Sequence, residues 1–162
     1  MQSKIKDIEF GKSNHRLIIK KSVFKTFSKF TRKKVNNESG GILLGNVYKK
    51  HYEIVKVTTP NKYDSFGPNF FVRSKRGAQP YINKSWKKSN GTEIYLGEWH
   101  THFEVEPRPT LTDKNMIINS LRKTKMEIDF LFLVIVGLHK TFWVGRQTIG
   151  GLIELKEVIL ER

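Results

Sequence analysis

Two histidines two residues apart, His100-Thr101-His102, are followed after seven residues by Thr110-Leu111-Thr112-Asp113, and this segment is the part of the chain best equipped for chemistry. In extended backbone, residues two apart project to the same side, so both imidazoles can converge on one cation. A third ligand usually arrives from a separate element. Asp113, in the first turn of a following helix, can supply a carboxylate oxygen. Three protein ligands leave a fourth position for water, which is the arrangement of catalytic zinc; the ion brings the water pKa to about 7 and makes it a nucleophile. A base must then take a proton, and a glutamate that reaches the water without binding the ion is the common solution. Glu38 is the candidate. It stands just before Gly40 and Gly41, which permit close backbone approach, and ahead of an apolar segment able to pair beside the histidine strand.

Each of these residues, taken singly, has a plainer role. Thr110-x-x-Asp113 is also a capping box, in which hydroxyl and carboxylate satisfy the first backbone N–H groups of a helix. A glutamate among Asn, Ser and Gly is ordinarily a solvated charge, and Trp99 beside the exposed-type Glu98 reads as a packing residue. The joint spacing carries the metal reading, because a capping box explains neither the histidine pair nor its offset. The chain has no cysteine, which removes thiolate ligands, disulfides and a cysteine nucleophile. Of its five histidines, His15, His51 and His139 have no chelating neighbour and read as surface residues.

These residues need elements to position them. Residues 15–20 read as a short strand, and Ser22 stands where an N-cap would open a helix through about Lys34. Val23, Phe24, Phe27 and Phe30 share one face of that helix, with Lys25, Lys29, Arg32 and Lys33 opposite. Ile42 to Tyr48 and Tyr52 to Thr58 read as paired strands, which puts Glu38 at a strand entrance. Pro60 to Pro68 marks a loop, and residues 74–89 form a second basic helix that Pro80 weakens. An apolar strand at Glu93 to Trp99, a histidine-bearing loop and a helix from Leu111 to about Lys125 come next. Strands at 129–137 and 140–146 follow, joined by a tight turn at Gly137-Leu138-His139-Lys140, and residues 151–160 alternate as a final strand. The expected fold is α/β (α+β): one domain over residues 1–162, a curved and mostly antiparallel sheet flanked by helices.

The order and spacing of Glu38, His100-Thr101-His102 and Thr110-x-x-Asp113 resemble the JAMM (MPN-plus, JAB-domain) motif of a distant glutamate, His-Ser/Thr-His, seven residues, serine, two residues and aspartate. Glu38-Ser39-Gly40-Gly41-Ile42-Leu43-Leu44-Gly45 and Gly97-Glu98-Trp99-His100-Thr101-His102 resemble the family's two strands, and the resemblance covers about residues 15–146. It implies a JAB/MPN-like fold and one catalytic zinc ion per chain on His100, His102 and Asp113. It also implies Glu38 as the base and Thr110 as the group that stabilises the oxyanion. The implied reaction is cleavage of an isopeptide or peptide bond after the C-terminal tail of a conjugated protein. Within the family the chain resembles the bacterial deconjugating peptidases of CBASS antiphage operons. That resemblance implies a cGAS-like nucleotidyltransferase, attached to targets by a ubiquitin-transfer-like enzyme, as the partner. Two positions depart from the pattern: Thr110 replaces the motif serine, keeping the hydroxyl but adding a methyl that stiffens χ1, and Phe103 replaces a frequent proline. The segment Glu104 to Pro109 is expected to rim the cleft with acidic, rigid chain suited to a positively charged tail.

Thirty Lys/Arg against fifteen Asp/Glu give a net charge of +15, and residues 1–34 hold eleven of the bases against Asp7 and Glu9. Such a field suits nucleic acid, an acidic protein or an anionic surface, or is simply solvated. A catalytically silent binding module with a basic surface is therefore the competing function, and processing of a ubiquitin-like sulfur carrier is a closer one. With 38% hydrophobic residues the chain can bury a core, so intrinsic disorder is excluded. No apolar run is long enough to span a bilayer, and the N-terminus lacks a secretory pattern, so a cytoplasmic protein without membrane partners is expected.

Overall fold

The structure is a computed structural model and describes residues 5–31, 37–124 and 128–159. Its frame is an eight-stranded sheet in the order β1 (Ile8–Phe10), β2 (Arg16–Ile19), β4 (His51–Val57), β3 (Gly40–Val47), β7 (Glu93–Thr101), β8 (Leu131–Val136), β9 (Phe142–Thr148) and β10 (Gly151–Glu154). A separate hairpin joins β5 (Ser65–Gly67) to β6 (Phe70–Val72). Within the large sheet, β2 with β4 and β7 with β8 pair parallel and the other neighbours pair antiparallel. Three helices, α1 (Lys21–Lys29), α2 (Lys75–Lys88) and α3 (Leu111–Lys123), cover it. This is the expected mixed α/β architecture with a mostly antiparallel sheet between helices.

The central strand shows why both faces are covered. β8 reads Leu-Phe-Leu-Val-Ile-Val and all six residues are buried, as a strand between two layers must be. Phe132, Val134 and Val136 join Val23, Phe24 and Phe27 of α1 in one apolar cluster. Leu131, Leu133 and Ile135 point the other way, toward Ala78 of α2 and Ile117 and Leu121 of α3. Trp99 belongs to the first cluster at 1% exposure, its ring centroid 4.9 Å from that of Phe27 and its Nε1 donating to the Thr58 carbonyl at 2.9 Å. It is a packing residue, as expected.

Several local expectations are corrected. Helix α1 opens at Lys20, and Ser22 makes no cap; the Lys21 N–H is instead received by Asp7 Oδ1 at 2.7 Å, a carboxylate brought in from the chain ahead of β1. Distant sequence supplied what local sequence was expected to supply. Helix α1 ends at Lys29 with Phe30 as its C-cap, short of the Lys34 expected; Arg32, Lys33 and Lys34 lie outside the described residues, as does Lys125 at the end expected for the helix beginning at Leu111. Pro80 sits inside α2 without breaking it. Both Pro80 and Arg76, whose carbonyl loses its i+4 donor, are exposed residues. The 60–68 stretch is not all loop, since β5 lies within it, and the last strand ends at Glu154. The 137–140 turn is as expected: His139 and Lys140 both have positive φ, and the Thr141 N–H donates to the Leu138 carbonyl.

Candidate metal centre

His100 is in β7 and His102 is the first residue beyond its end, so the histidine pair sits on strand geometry and not in the loop expected for it. What aims the pair is an irregularity earlier in the strand. β7 pairs with β3 in steady register from Gly40↔His100 to Leu43↔Gly97, then jumps to Leu44↔Tyr95, leaving Leu96 as an extra residue. Tyr95 belongs to the α2–α3 cluster and Leu96 and Trp99 to the α1 cluster. The bulge therefore shifts the alternation by one, so that Glu98, His100 and His102 follow Tyr95 onto the α2–α3 side. Gly97 makes this possible. Its φ is +150°, and a Cβ there would lie 1.9 Å from the Phe132 carbonyl oxygen of β8.

Asp113 reaches the same point from α3. Thr110 is the N-cap, its Oγ1 accepting the Asp113 N–H at 3.2 Å while Asp113 Oδ2 accepts the Thr110 N–H at 2.8 Å. The capping box and a ligand role are thus compatible in one residue: Oδ2 holds the helix start while lying beside His102, and Oδ1 points to His100. His100 Nε2 lies 2.9 Å from Asp113 Oδ1, His102 Nε2 lies 3.2 Å from Oδ2, and the two Nε2 atoms are 3.2 Å apart. Each residue is buried, and a ligand atom from each lies within 4.8 Å of the others.

The donor set fits zinc. Bonds of about 2.0–2.1 Å at tetrahedral angles place ligand atoms about 3.3 Å apart, and the 3.2 Å between the two Nε2 atoms and the 2.9 Å from His100 Nε2 to Asp113 Oδ1 are each within tenths of an ångström of that. Two imidazole nitrogens and a carboxylate oxygen are the ligand types of a three-ligand catalytic site. Electrostatics agree. Burial works to raise the Asp113 carboxyl, but the His100 and His102 hydrogen bonds outweigh it and hold the group well below the usual carboxylate range. Burial lowers His102, yet Asp113 more than compensates and its pKa is raised. The cluster attracts positive charge.

Glu38 is also buried, two residues ahead of β3. The β3–β7 ladder continues past its named end, with the Ser39 N–H donating to Thr101 Oγ1 at 3.0 Å and the Thr101 N–H donating to the Ser39 carbonyl at 2.8 Å. This draws Glu38 toward His102. The β5–β6 hairpin holds it from outside: the Glu38 N–H donates to the Gly67 carbonyl at 2.9 Å, and Phe71 packs where a side chain on Gly40 would stand. Burial pushes the Glu38 carboxyl up to about 7, against the pull of His102 and with help from Asp113 and Glu104. Glu104 and Glu106 are exposed on the loop after His102, with Glu104 Oε2 4.0 Å from His102 Nδ1.

Sequence reasoning missed one buried group. Glu98, read from the sequence as exposed, is 3% exposed and accepts hydrogen bonds from Arg73 Nε at 2.6 Å and from the Tyr95 hydroxyl at 2.5 Å. Burial raises its pKa despite the Arg73 guanidinium and the Tyr95 hydroxyl that oppose the shift. A charged residue in an otherwise apolar strand was the available signal; which arginine answers it depended on the fold.

The chain matches the profile of prokaryotic homologs of the JAB domain over residues 20–145. It is 34% identical over 110 residues to a CD-NTase/cGAS isopeptidase of Vibrio cholerae serotype O1, covering 68% of this chain and 67% of the relative. It is 30% identical over 144 residues to a CD-NTase/cGAS isopeptidase of Escherichia coli, covering 89% of each. Among solved structures, a protein of Desulfitobacterium hafniense shares the fold with a TM-score of 0.63 at 22% identity, over 89% of this chain and 92% of that one. A bulged strand aiming two histidines at a capping aspartate, on a sheet of this order and with relatives of this kind, places the chain in the prokaryotic JAB-domain family.

Proposed function

We propose that the chain is a zinc-dependent isopeptidase that cleaves after the C-terminal tail of a conjugated protein, with a cGAS-like nucleotidyltransferase as the conjugated protein. The observation that carries the reading is the convergence of His100 Nε2, His102 Nε2 and Asp113 Oδ1 beside a buried glutamate. The relatives' names support the isopeptidase activity and the partner. His100, His102 and Asp113 would hold the ion, which supplies Lewis acidity, activating a water and polarising the scissile carbonyl.

The chain's own residues do the rest. Glu38 accepts a proton from the attacking water and delivers it to the nitrogen of the leaving amine as the C–N bond breaks. Burial raises this carboxyl toward neutrality, which suits a group that must accept and then donate. Thr110 Oγ1 accepts the Asp113 N–H, so its own hydrogen is free to be donated to the developing oxyanion. Asp113 keeps Oδ2 on the Thr110 N–H and so holds its carboxylate plane steady. Charge on both groups stays fixed while the proton moves through Glu38.

The test uses purified protein and a cGAS-like nucleotidyltransferase with a second protein fused or isopeptide-linked to its C-terminus. The protein should carry about one zinc per chain, lose cleavage on chelation and regain it with added zinc. Glu38→Ala should keep the fold and the metal and lose cleavage. Full activity in that variant would sink the assignment.

A further inference from the structure

The stretch 65–92 contains no acidic residue and six bases: Arg73, Lys75, Arg76, Lys84, Lys87 and Lys88. Arg73 is the one spent on a buried partner, Glu98. The other five form no salt bridge with any described residue. A basic helix face alone is an ordinary solvated surface, but here it borders a groove of about 1190 Å³ between α2 and α3. Lys75, Gln79, Ile82 and Trp86 recur at helical spacing and line its α2 wall, and Met116 and Lys123 stand on the α3 wall. The floor holds Tyr95 and Glu98, whose charge Arg73 already answers. No unanswered acid faces the groove among the described residues.

Trp86 is the feature that solvation does not explain. It is 57% exposed, and its ring lies beside Gly91, whose φ is +82° and where a Cβ would stand 3.3 Å from the ring. A large exposed aromatic in an apolar trough with cations at its rim has the makeup of a binding anchor. Val72, 51% exposed, extends the apolar patch.

We propose that this groove docks an acidic segment of a partner protein, with an apolar side chain of that segment seated on Trp86 and its carboxylates paired to Lys75 and Lys123. A polypeptide fits the lining better than a nucleic acid does, because a phosphodiester backbone would leave Val72, Ile82 and Met116 without apolar contact. The position gives the groove a use. Glu98 is two residues before His100 on the same strand face, and Met116 is one helical turn beyond Asp113, so a segment docked here leads toward the metal ligands. At the far end of the ligand row the exposed Glu104 and Glu106 reverse the charge. A partner is thereby selected that is acidic on the groove side.

Binding can be read without cleavage, so the proposal stands or falls apart from the hydrolase reading. A short fluorescein-labelled peptide of Glu-Glu-Leu-Glu repeats is titrated with full-length protein by fluorescence anisotropy, with a Lys-Lys-Leu-Lys peptide and oligothymidylate in parallel arms. The acidic peptide should bind and the basic one should not. Lys75→Glu combined with Lys123→Glu, and separately Trp86→Ala, should each weaken binding by about tenfold or more. Lys25→Glu combined with Lys29→Glu on α1, equal in charge change but remote from the groove, should leave it within about twofold. Unchanged affinity in Trp86→Ala, an equal loss in the Lys25→Glu, Lys29→Glu double variant, or tighter binding of oligothymidylate than of the acidic peptide would overturn the proposal. Thermal melting of each variant separates lost docking from lost folding, and Trp86→Tyr, which keeps an aromatic face, should recover most of the affinity.

Discussion

The two faces of the sheet are built from alternate residues of the same strands and serve different ends. On the α1 side, Leu17, Phe27, Leu96, Trp99 and Phe132 interlock in an apolar cluster, with Phe27 and Phe132 wholly buried. On the α2–α3 side the apolar cluster is smaller and shares its face with Tyr95, Glu98, His100, His102 and Asp113, all buried and polar. Burying polar groups costs free energy unless each is hydrogen-bonded or binds an ion, and here Glu98 is answered by Arg73 and Tyr95 and the two histidines by Asp113. One strand, β7, serves both, and its bulge at Leu96 and Gly97 decides which residue faces which way.

If that division holds, substitutions on the two faces should separate stability from chemistry. The largest effect is expected from Asp113→Ala, which removes a proposed ligand and half of the capping box together. Zinc content should fall from about one per chain to near zero, by metal analysis of the purified protein, while α3 stays folded by circular dichroism. Retained zinc would dissolve the comparison, since the polar face would then have no ligand role for Asp113.

Phe27→Ala should do the reverse, costing about 3–5 kcal/mol in chemical denaturation while the folded fraction keeps its zinc and its cleavage rate. Loss of metal in that variant at temperatures where it is still folded would show the faces to be coupled.

Thr110→Ala should lower kcat by about 10²–10³ with little change in KM, the cost of one oxyanion donor. Thr110→Ser keeps both cap and donor and relaxes χ1, so its kcat should equal or exceed that of the parent. A kcat loss in Thr110→Ala no larger than its roughly 1 kcal/mol loss of cap stability would assign Thr110 to capping alone.

The acid side of the pH profile gives a smaller effect. Glu38 accepts a proton only when ionised, and burial raises its carboxyl from 4.5 toward about 7, whereas a bound cation draws it back down. The acid limb of kcat/KM should lie between those values, with about a tenfold fall per pH unit below it. A profile flat from about pH 5 to 8 would argue for a wet, unperturbed carboxyl.

Asp7→Ala should have the smallest effect, about 0.5–1 kcal/mol in denaturation from loss of the cap on α1, with no change in kcat.

The candidate site was more legible than the fold around it. The convergence of His100, His102 and Asp113 was readable because strand and helix periodicities are short-range, and a two-residue spacing needs only extended backbone to put two rings on one side. Glu38 was singled out mainly through the family motif, since its distance from the histidines in the chain says nothing about their approach. Glu98 was misread because its partner Arg73 comes from another element. The α1 cap was misread for the same reason, with Asp7 standing in for Ser22. The β5–β6 hairpin escaped notice because three-residue strands are too short to show alternation.

The sequence by itself determined the types and order of the candidate ligands, the exclusion of thiolate chemistry and the two-sided apolar character of β8, all properties of composition and local spacing. Only the tertiary structure decided which face the histidines occupy, because that turns on one extra residue in β7 and on the close approach of Gly97 to β8. It also decided that Glu38 is buried and shifted toward neutrality, since desolvation belongs to the packed surroundings and to no residue alone.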